Sequence, residues 1–475
     1  MANWVFWVWR PTIAQLDELL AKGYFPSELP PSFSTTYYAA VLMANRHALP
    51  NGVRTPPIAK LCRYSLARAQ SRFRRILSIP NPLHFFNLSE CVAANWNAIQ
   101  AMYAQSAICL STPTRIPQNP RAVSPRCPRR DLALNQARQR GGRRSILQTD
   151  IADFYPSVYT HSIPWALHTK QVAKANRTNA LFGNRIDQLV RNSQDGQTVG
   201  LPIGLDTSFV IAESILAAAD LQFANLLPAA RGLRWIDEYE LSCVDRSECD
   251  RTLGTLQQVL LDFELRVNPR KTAVLDLPVE FEPEWVRELR GFRFRNSPRG
   301  QANDLIHYLD LITSYVQQAP NDQVVKYGAG RLRAFPILTN NHRLFQSLLC
   351  QVLAFEFAAI REVIQVLHYA ENNSGLVLDR PELERTINAL LERSASFRRD
   401  YEVSWGLWAA LTWGLPLDVA VATAISPIEN SVVAILALDA NRNQLFGPLA
   451  RNRYHYLGGA HDNRRPVPGS VVIVI

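Results

Sequence analysis

The chain has 475 residues, 47% hydrophobic and 19% charged, which excludes a disordered protein and exceeds one ordinary core, so two or three domains or subdomains are expected. Its net charge is +10, and only six of its 51 basic residues are Lys; guanidinium forks suit bidentate phosphate contacts, although a GC-rich coding bias produces the same ratio. Seven scattered cysteines without a Cys-x-x-Cys pair argue against a disulfide framework or zinc site and for a reducing cytoplasm.

In chain order, the apolar run from Trp4 to Trp9 is too short to span a membrane and carries no basic leader; no other run reaches about 18 apolar residues. The expected location is therefore cytoplasmic, with no membrane partner. A helix is predicted over 12–22, stopped by Gly23, and the next segment turns and extends because Pro26, Pro30 and Pro31 forbid helix. A basic, β-leaning strand with Arg72, Arg74 and Arg75 meets the rigid turn Pro80-Asn81-Pro82, and a helical run follows to Asn95 and Trp96. Such a strand lays guanidinium groups along a template or triphosphate, or is simply a solvated edge. Residues 115–144 hold nine arginines, at 115, 121, 126, 129, 130, 138, 140, 143 and 144, against one acid, Asp131. A single-signed patch of that kind attracts polyanions.

The stretch 147–168, LQTDIADFYPSVYTHSIPWALH, reads as a short apolar strand delivering Asp150 to its end. An aromatic pair, Phe154 and Tyr155, follows, then Pro156 and a new helix near Ser162. Residues 170–192 read as helix and polar loop. Glycines 200 and 204 around Pro202 let a loop approach a substrate closely, or merely supply positive φ, before an apolar helix over 209–226 that Thr207 or Ser208 would cap. In LRWIDEYEL, Asp237 and Glu238 stand at a predicted tight turn between strand-like runs. Two carboxylate clusters on strand ends suggest a two-metal phosphoryl-transfer centre. An amphipathic helix over 250–263, a turn at Asn268-Pro269 and Lys271 at the start of strand AVLDL complete an α+β arrangement in which antiparallel strands carry acids to one surface. From about Trp285 onward helical periods dominate, over 303–318, 342–368, 380–394, 403–415, 417–424 and 432–438, giving an all-α region of repeat-like hairpins. The tail after Arg451 ends in VVIVI, an apolar edge that needs a partner strand in cis or in a neighbouring subunit, so a homo-oligomer is expected.

Asp150 to Tyr155 resembles motif A of reverse transcriptases, GLPIG with Asp206-Thr207-Ser208 resembles motif B, WIDE stands where Tyr-x-Asp-Asp stands in motif C, and 268–272 resembles motif D. The phrase FYPSVYTHSIPWALH, with RRILSIPNP and GYFPSELPP upstream, is similar to the bacterial defence-associated, or abortive-infection, reverse transcriptases. The match covers roughly residues 20–295; the last third matches only in helical character. The resemblance implies an N-terminal helical and extended segment at 1–60, fingers at 61–149, a palm at 150–295, a helical domain at 296–450 and a tail at 451–475. It implies Asp150 and Asp237 as ligands of two Mg²⁺ ions, for which Mn²⁺ can substitute, with the Ile151 carbonyl and Glu238 as further ligands. Lys271 would act as general acid near the leaving pyrophosphate. Tyr155 would gate against a ribose 2′-hydroxyl, and Phe154, Arg121, Arg75 and Gly204 would complete the dNTP site. Glu238 in place of Asp, Ile203 in place of Gln and Trp235 in place of Tyr depart from the common pattern and suggest altered primer or template handling.

The expected activity is DNA synthesis from dNTPs in anti-phage defence, RNA-templated, template-free or protein-primed. Expected partners are RNA or DNA, including a noncoding RNA, and a covalent protein-DNA product. The competing expectation is a degenerate reverse-transcriptase scaffold that binds nucleic acid or a second polymerase subunit.

Overall fold

The computed structural model describes residues 13–69, 73–116 and 118–446. The apolar run at 4–9, Arg72 and the tail at 451–475 lie outside the described residues. Helix α1 (Ile13–Lys22) leads to an antiparallel ribbon of β1 (Cys62–Leu66) and β2 (Arg75–Ile79). The Pro-Asn-Pro turn then starts α2 (Pro82–Ala94), where the Asn81 side chain accepts the Leu83 N–H at the cap. Next come α3 (Leu132–Arg140), β3 (Ser145–Asp150), α4 (Ser162–His168) and α5 (Asp206–Leu226). The hairpin β4 (Arg231–Trp235) and β5 (Glu238–Cys243), helix α6 (Arg246–Asp262) and β6 (Ala273–Asp276) follow.

Strands β3 to β6 form one antiparallel sheet in the order β4-β5-β3-β6. Residues directly opposite in such a sheet share a face. Leu147 pairs with Leu241 and Thr149 with Tyr239, and the Tyr239 hydroxyl lies 3.3 Å from Asp220 of α5, so this face packs on the core helices. Gln148 pairs with Glu240 and Asp150 with Glu238 on the other face, which α3 partly covers. The chain is thus of mixed helix and sheet, with helices the larger part.

Helix α5 is long and apolar enough to cross a membrane by length and composition, yet 67% of its most apolar window is buried within the fold. It begins three residues before the predicted start because Asp206 is anchored from outside: its carboxylate accepts the Ala122 and Val123 N–H groups at 2.9 and 3.2 Å. Thr207 and Ser208, expected as caps, are buried inside the first turn and cap nothing.

The C-terminal region is helical throughout, with Pro298–Gln318, His342–Phe355, Ile360–Ser374, Arg380–Ser396, Asp400–Trp413, Val419–Ile425 and Ser431–Arg442. The helix predicted over 342–368 is two helices, because the Glu356 side chain accepts the Ala358 N–H and starts a new turn. These helices pack on the β1–β2 ribbon. Arg74 donates to the buried Glu402 at 2.9 Å, the Ser65 N–H to Asp400 at 3.2 Å, and Trp405 Nε1 to the Glu28 carbonyl at 2.9 Å. One apolar core runs without a break from Leu16 to Phe446.

Candidate functional site

Asp150 ends β3, is 6% exposed, and stands opposite Glu238 across the sheet. The β4–β5 hairpin closes through Ile236 and Asp237, since Trp235 already pairs with Glu238. The Asp237 carbonyl accepts the Ile151 N–H at 3.1 Å, which ties the hairpin tip to the end of β3. Two acids separated by 86 intervening residues are thereby neighbours. Their proximity is electrostatic as well as topological: burial first, then repulsion from Asp150 and Glu238, pushes the Asp237 carboxyl up to about 6.

Lys271 sits at the end of the single 3₁₀ turn Pro269–Lys271, and its ammonium donates to Asp150 Oδ2. Asn268 fixes that turn from both sides: its N–H donates to the Asp150 carbonyl at 2.7 Å and its side chain to Asp150 Oδ1 at 3.3 Å. The resemblance places Lys271 beside a leaving group; here it is the counter-ion of Asp150. Glu238 turns away to Arg129, 3.0 Å from its carboxylate, with both side chains substantially exposed. Among the described residues no three His, Cys, Asp or Glu side chains converge as a metal-binding group, and Glu238 lines the same cavity as Asp150 and Lys271. Asp150 and Asp237 form a carboxylate pair that repels itself and attracts a cation, Lys271 being the one present. That donor set, with the Ile151 backbone alongside, fits divalent cations.

Beside the acids lies an open cavity of about 330 Å³ between α3 and the sheet, lined by Gln136, Gln148, Asp150, Trp235, Glu240 and Lys271, among others. Its wall is rigid: Arg140 grips Glu240 with two parallel bonds of 2.8 and 2.9 Å, both side chains buried. Trp235 is held at the rim by its Nε1–H on the Cys127 carbonyl at 3.0 Å, and the Arg129 guanidinium lies 4.8 Å over its ring.

The residues expected to bind dNTP divide. Tyr155 is half-buried beside Phe154, close enough to Asp237 and Arg75 to feel their charges, and burial keeps its phenol protonated. Arg75 is exposed at the start of β2 and has no carboxylate partner among the described residues. Phe154, 3% exposed, belongs to the core and presents no face to a ligand. Arg121 is committed to its own chain: it donates to Asp206 Oδ1 at 2.8 Å, to the Gly204 carbonyl at 2.9 Å and to the Phe25 carbonyl. Gly204 has φ +111°, and an added Cβ would meet Pro26 at 2.6 Å, so glycine is required there by packing against the Pro26 segment. The arginine-rich stretch is likewise not single-signed in three dimensions. Arg115, Arg121, Arg129, Arg130, Arg140 and Arg143 all have a carboxylate within 4 Å.

One group escaped the sequence reading. Arg234, fully buried, donates to Glu213 at 2.9 Å, to Asp220 at 2.9 Å and to the Ile236 carbonyl at 2.7 Å. Glu213 and Asp220 stand seven residues apart on α5, two helical turns on one face. Two acids embedded in so apolar a helix were the available signal.

No family model matches this sequence, and no curated protein matches it. Among solved structures the chain is similar to apo telomerase from Candida tropicalis, at 8% identity and a TM-score of 0.37, over 90% of this chain and 77% of that one. It is also similar to telomerase from Candida albicans in complex with the TWJ fragment of telomeric RNA, at 11% identity and a TM-score of 0.33, over 81% and 73%. At those values the likeness assigns nothing by itself, and the functional reading rests on the site.

Proposed function

We propose that this chain is a reverse-transcriptase-like nucleotidyltransferase that extends DNA from dNTPs, with Asp150 and Asp237 at its centre. The observation that carries this reading is the meeting of those two acids at one end of a central antiparallel strand, on the motif A and motif C positions. Divalent cations bound there would activate a 3′-hydroxyl and neutralise triphosphate charge. Asp150 and Asp237 would hold the cations, with the Ile151 carbonyl as a further ligand, and Lys271, once free of Asp150, would donate a proton to a departing pyrophosphate. The Tyr155 ring, which feels the charges of Glu213, Asp237 and Arg75, supplies the wall against a ribose 2′-hydroxyl. RNA or DNA is the proposed polymeric partner, and the FYPSVYTHSIPWALH phrase supports a place in anti-phage defence.

Purified protein given Mg²⁺ and labelled dNTPs should yield polymer, and Asp150→Ala or Asp237→Ala should end it. Polymer from the double alanine variant would refute the assignment. A second reading, a non-catalytic scaffold, has one observation in its favour: Lys271 and Arg129 already neutralise Asp150 and Glu238. It predicts no polymer from the unaltered protein and nucleic-acid binding indifferent to Mg²⁺.

A further inference from the structure

Ile236 is the first residue of the two-residue hairpin tip and has φ +56°. A β-branched side chain is disfavoured there, at a cost of roughly 1–2 kcal/mol, because its Cβ crowds the carbonyl oxygen. Hydrogen bonds to both of its backbone groups, one from within the hairpin and one from a neighbouring segment, hold it there. The Ile236 N–H donates to Ser111 Oγ at 2.7 Å, and the Ser111 hydroxyl donates to Glu213 Oε1 at 2.7 Å. The Ile236 carbonyl accepts Arg234 Nη1 at 2.7 Å, and that same nitrogen donates to Glu213 Oε2 at 2.9 Å. Both backbone groups of Ile236 therefore close a ring through a single buried carboxylate on α5.

The rest of the network serves the same end. Asp220 accepts Arg234 Nε at 2.9 Å and the Ser106 hydroxyl at 2.6 Å, while Cys109 Sγ lies 3.4 Å from Glu213 Oε2. The segment carrying Ser106 and Ser111 is fixed to β4 by Arg234 N–H to the Ile108 carbonyl at 2.8 Å and Leu110 N–H to the Arg234 carbonyl at 2.9 Å. A buried guanidinium between two carboxylates is an expensive way to join a helix to a sheet, since apolar residues of similar volume do so at no desolvation cost. Its distinguishing product is geometric: it holds the residue before Asp237 in one strained conformation.

We infer that Ser111, Glu213 and Arg234 are positioning residues that set the orientation of the Asp237 carboxylate through the backbone of Ile236, an inference that rests on the nucleotidyl-transfer reading of Asp237. They touch no substrate. Side chains that orient a ligand in this way typically govern metal affinity tenfold to a hundredfold.

The test uses the full chain and two readouts. The first is amide hydrogen exchange of Ile151, whose N–H reports the Asp237 carbonyl without any metal; the second is Mn²⁺ affinity by electron paramagnetic resonance. Ser111→Ala should speed exchange at Ile151 about tenfold, the effect of losing roughly 1.4 kcal/mol of local restraint, and leave mid-strand Leu147 unchanged. It should also weaken Mn²⁺ binding at least tenfold. Ser111→Thr, which keeps the hydroxyl, should restore both. Adding Ile236→Gly to Ser111→Ala should recover part of the affinity, because glycine accepts positive φ unaided. Should Ser111→Ala fail to fold, Ser111→Cys, isosteric but a weak acceptor, gives the same two readouts. A folded Ser111→Ala or Ser111→Cys protein with wild-type exchange at Ile151 overturns the inference. Absence of Mn²⁺ binding by the unaltered protein would instead sink the nucleotidyl-transfer reading, and the exchange result would still decide the positioning role.

Discussion

Replacing Arg121 by Met separates a structural guanidinium from a substrate-binding one. The side chain ties three segments together, and its removal strands Asp206, which is 3% exposed, with only the Ala122 and Val123 N–H groups. Removing one partner of a buried pair costs about 3–5 kcal/mol. Because the Arg121 side chain is itself 21% exposed, water can replace part of what is lost, and the lower end, about 3 kcal/mol, applies. That is more than a hundredfold in the folded-to-unfolded ratio. Urea unfolding should show a lower midpoint at unchanged slope. Nucleotide affinity, measured where the variant is folded, should stay within about threefold of wild type. Asp206→Asn added to Arg121→Met should recover part of the loss, since the uncompensated charge is then gone. Unchanged stability together with a tenfold or greater loss of nucleotide affinity would return Arg121 to the dNTP site.

Lys271→Ala removes the resident cation from Asp150, so Mn²⁺ should bind more tightly while polymer synthesis slows by about a hundredfold, the usual contribution of a positioned acid; an unchanged rate would contradict the proposed role. Glu238→Ala breaks only an exposed pair worth at most about 1 kcal/mol, so synthesis should persist within about threefold, in contrast to its loss in Asp237→Ala. The Asp304 carboxyl is held below its usual range, chiefly by hydrogen bonds from the Arg295 side chain, with one more from the Arg295 N–H at 2.7 Å. A depressed folded value means stabilisation present above the unfolded value of about 4 and lost as pH falls through the folded one. Asp304→Asn should therefore be less stable than wild type at pH 7 by at most about 1 kcal/mol, and the two melting curves should converge near pH 2.

The strand and hairpin that carry Asp150 and Asp237 were legible because they are written in local patterns. An apolar strand ending at Asp150 and a Trp-Ile-Asp-Glu turn between strand-like runs fold into β3 and the β4–β5 hairpin. The roles of arginines were not legible, since a loop guanidinium presented to a ligand and one buried against its own chain look alike in sequence. Arg121 and Arg74 are both of the second kind, and their partners Asp206 and Glu402 lie 85 and 328 residues away. Arg234 was hidden for a related reason. On a strand it reads as a solvent-facing residue, but its register opposite Tyr239 places it on the helix-facing side, where Glu213 and Asp220 wait. The early start of α5 was missed because its anchor is tertiary, a carboxylate fixed by backbone from the 121–123 segment and not by a local cap.

The proposed reaction requires that Asp150 and Asp237 jointly bind divalent cations. Anomalous scattering from crystals of the full chain soaked in Mn²⁺ tests it most directly: a peak between the two carboxylates, with the Lys271 ammonium displaced from Asp150, is the predicted result. Ordered density for both side chains with no peak between them, at Mn²⁺ concentrations that support nucleotidyl transfer, would contradict it.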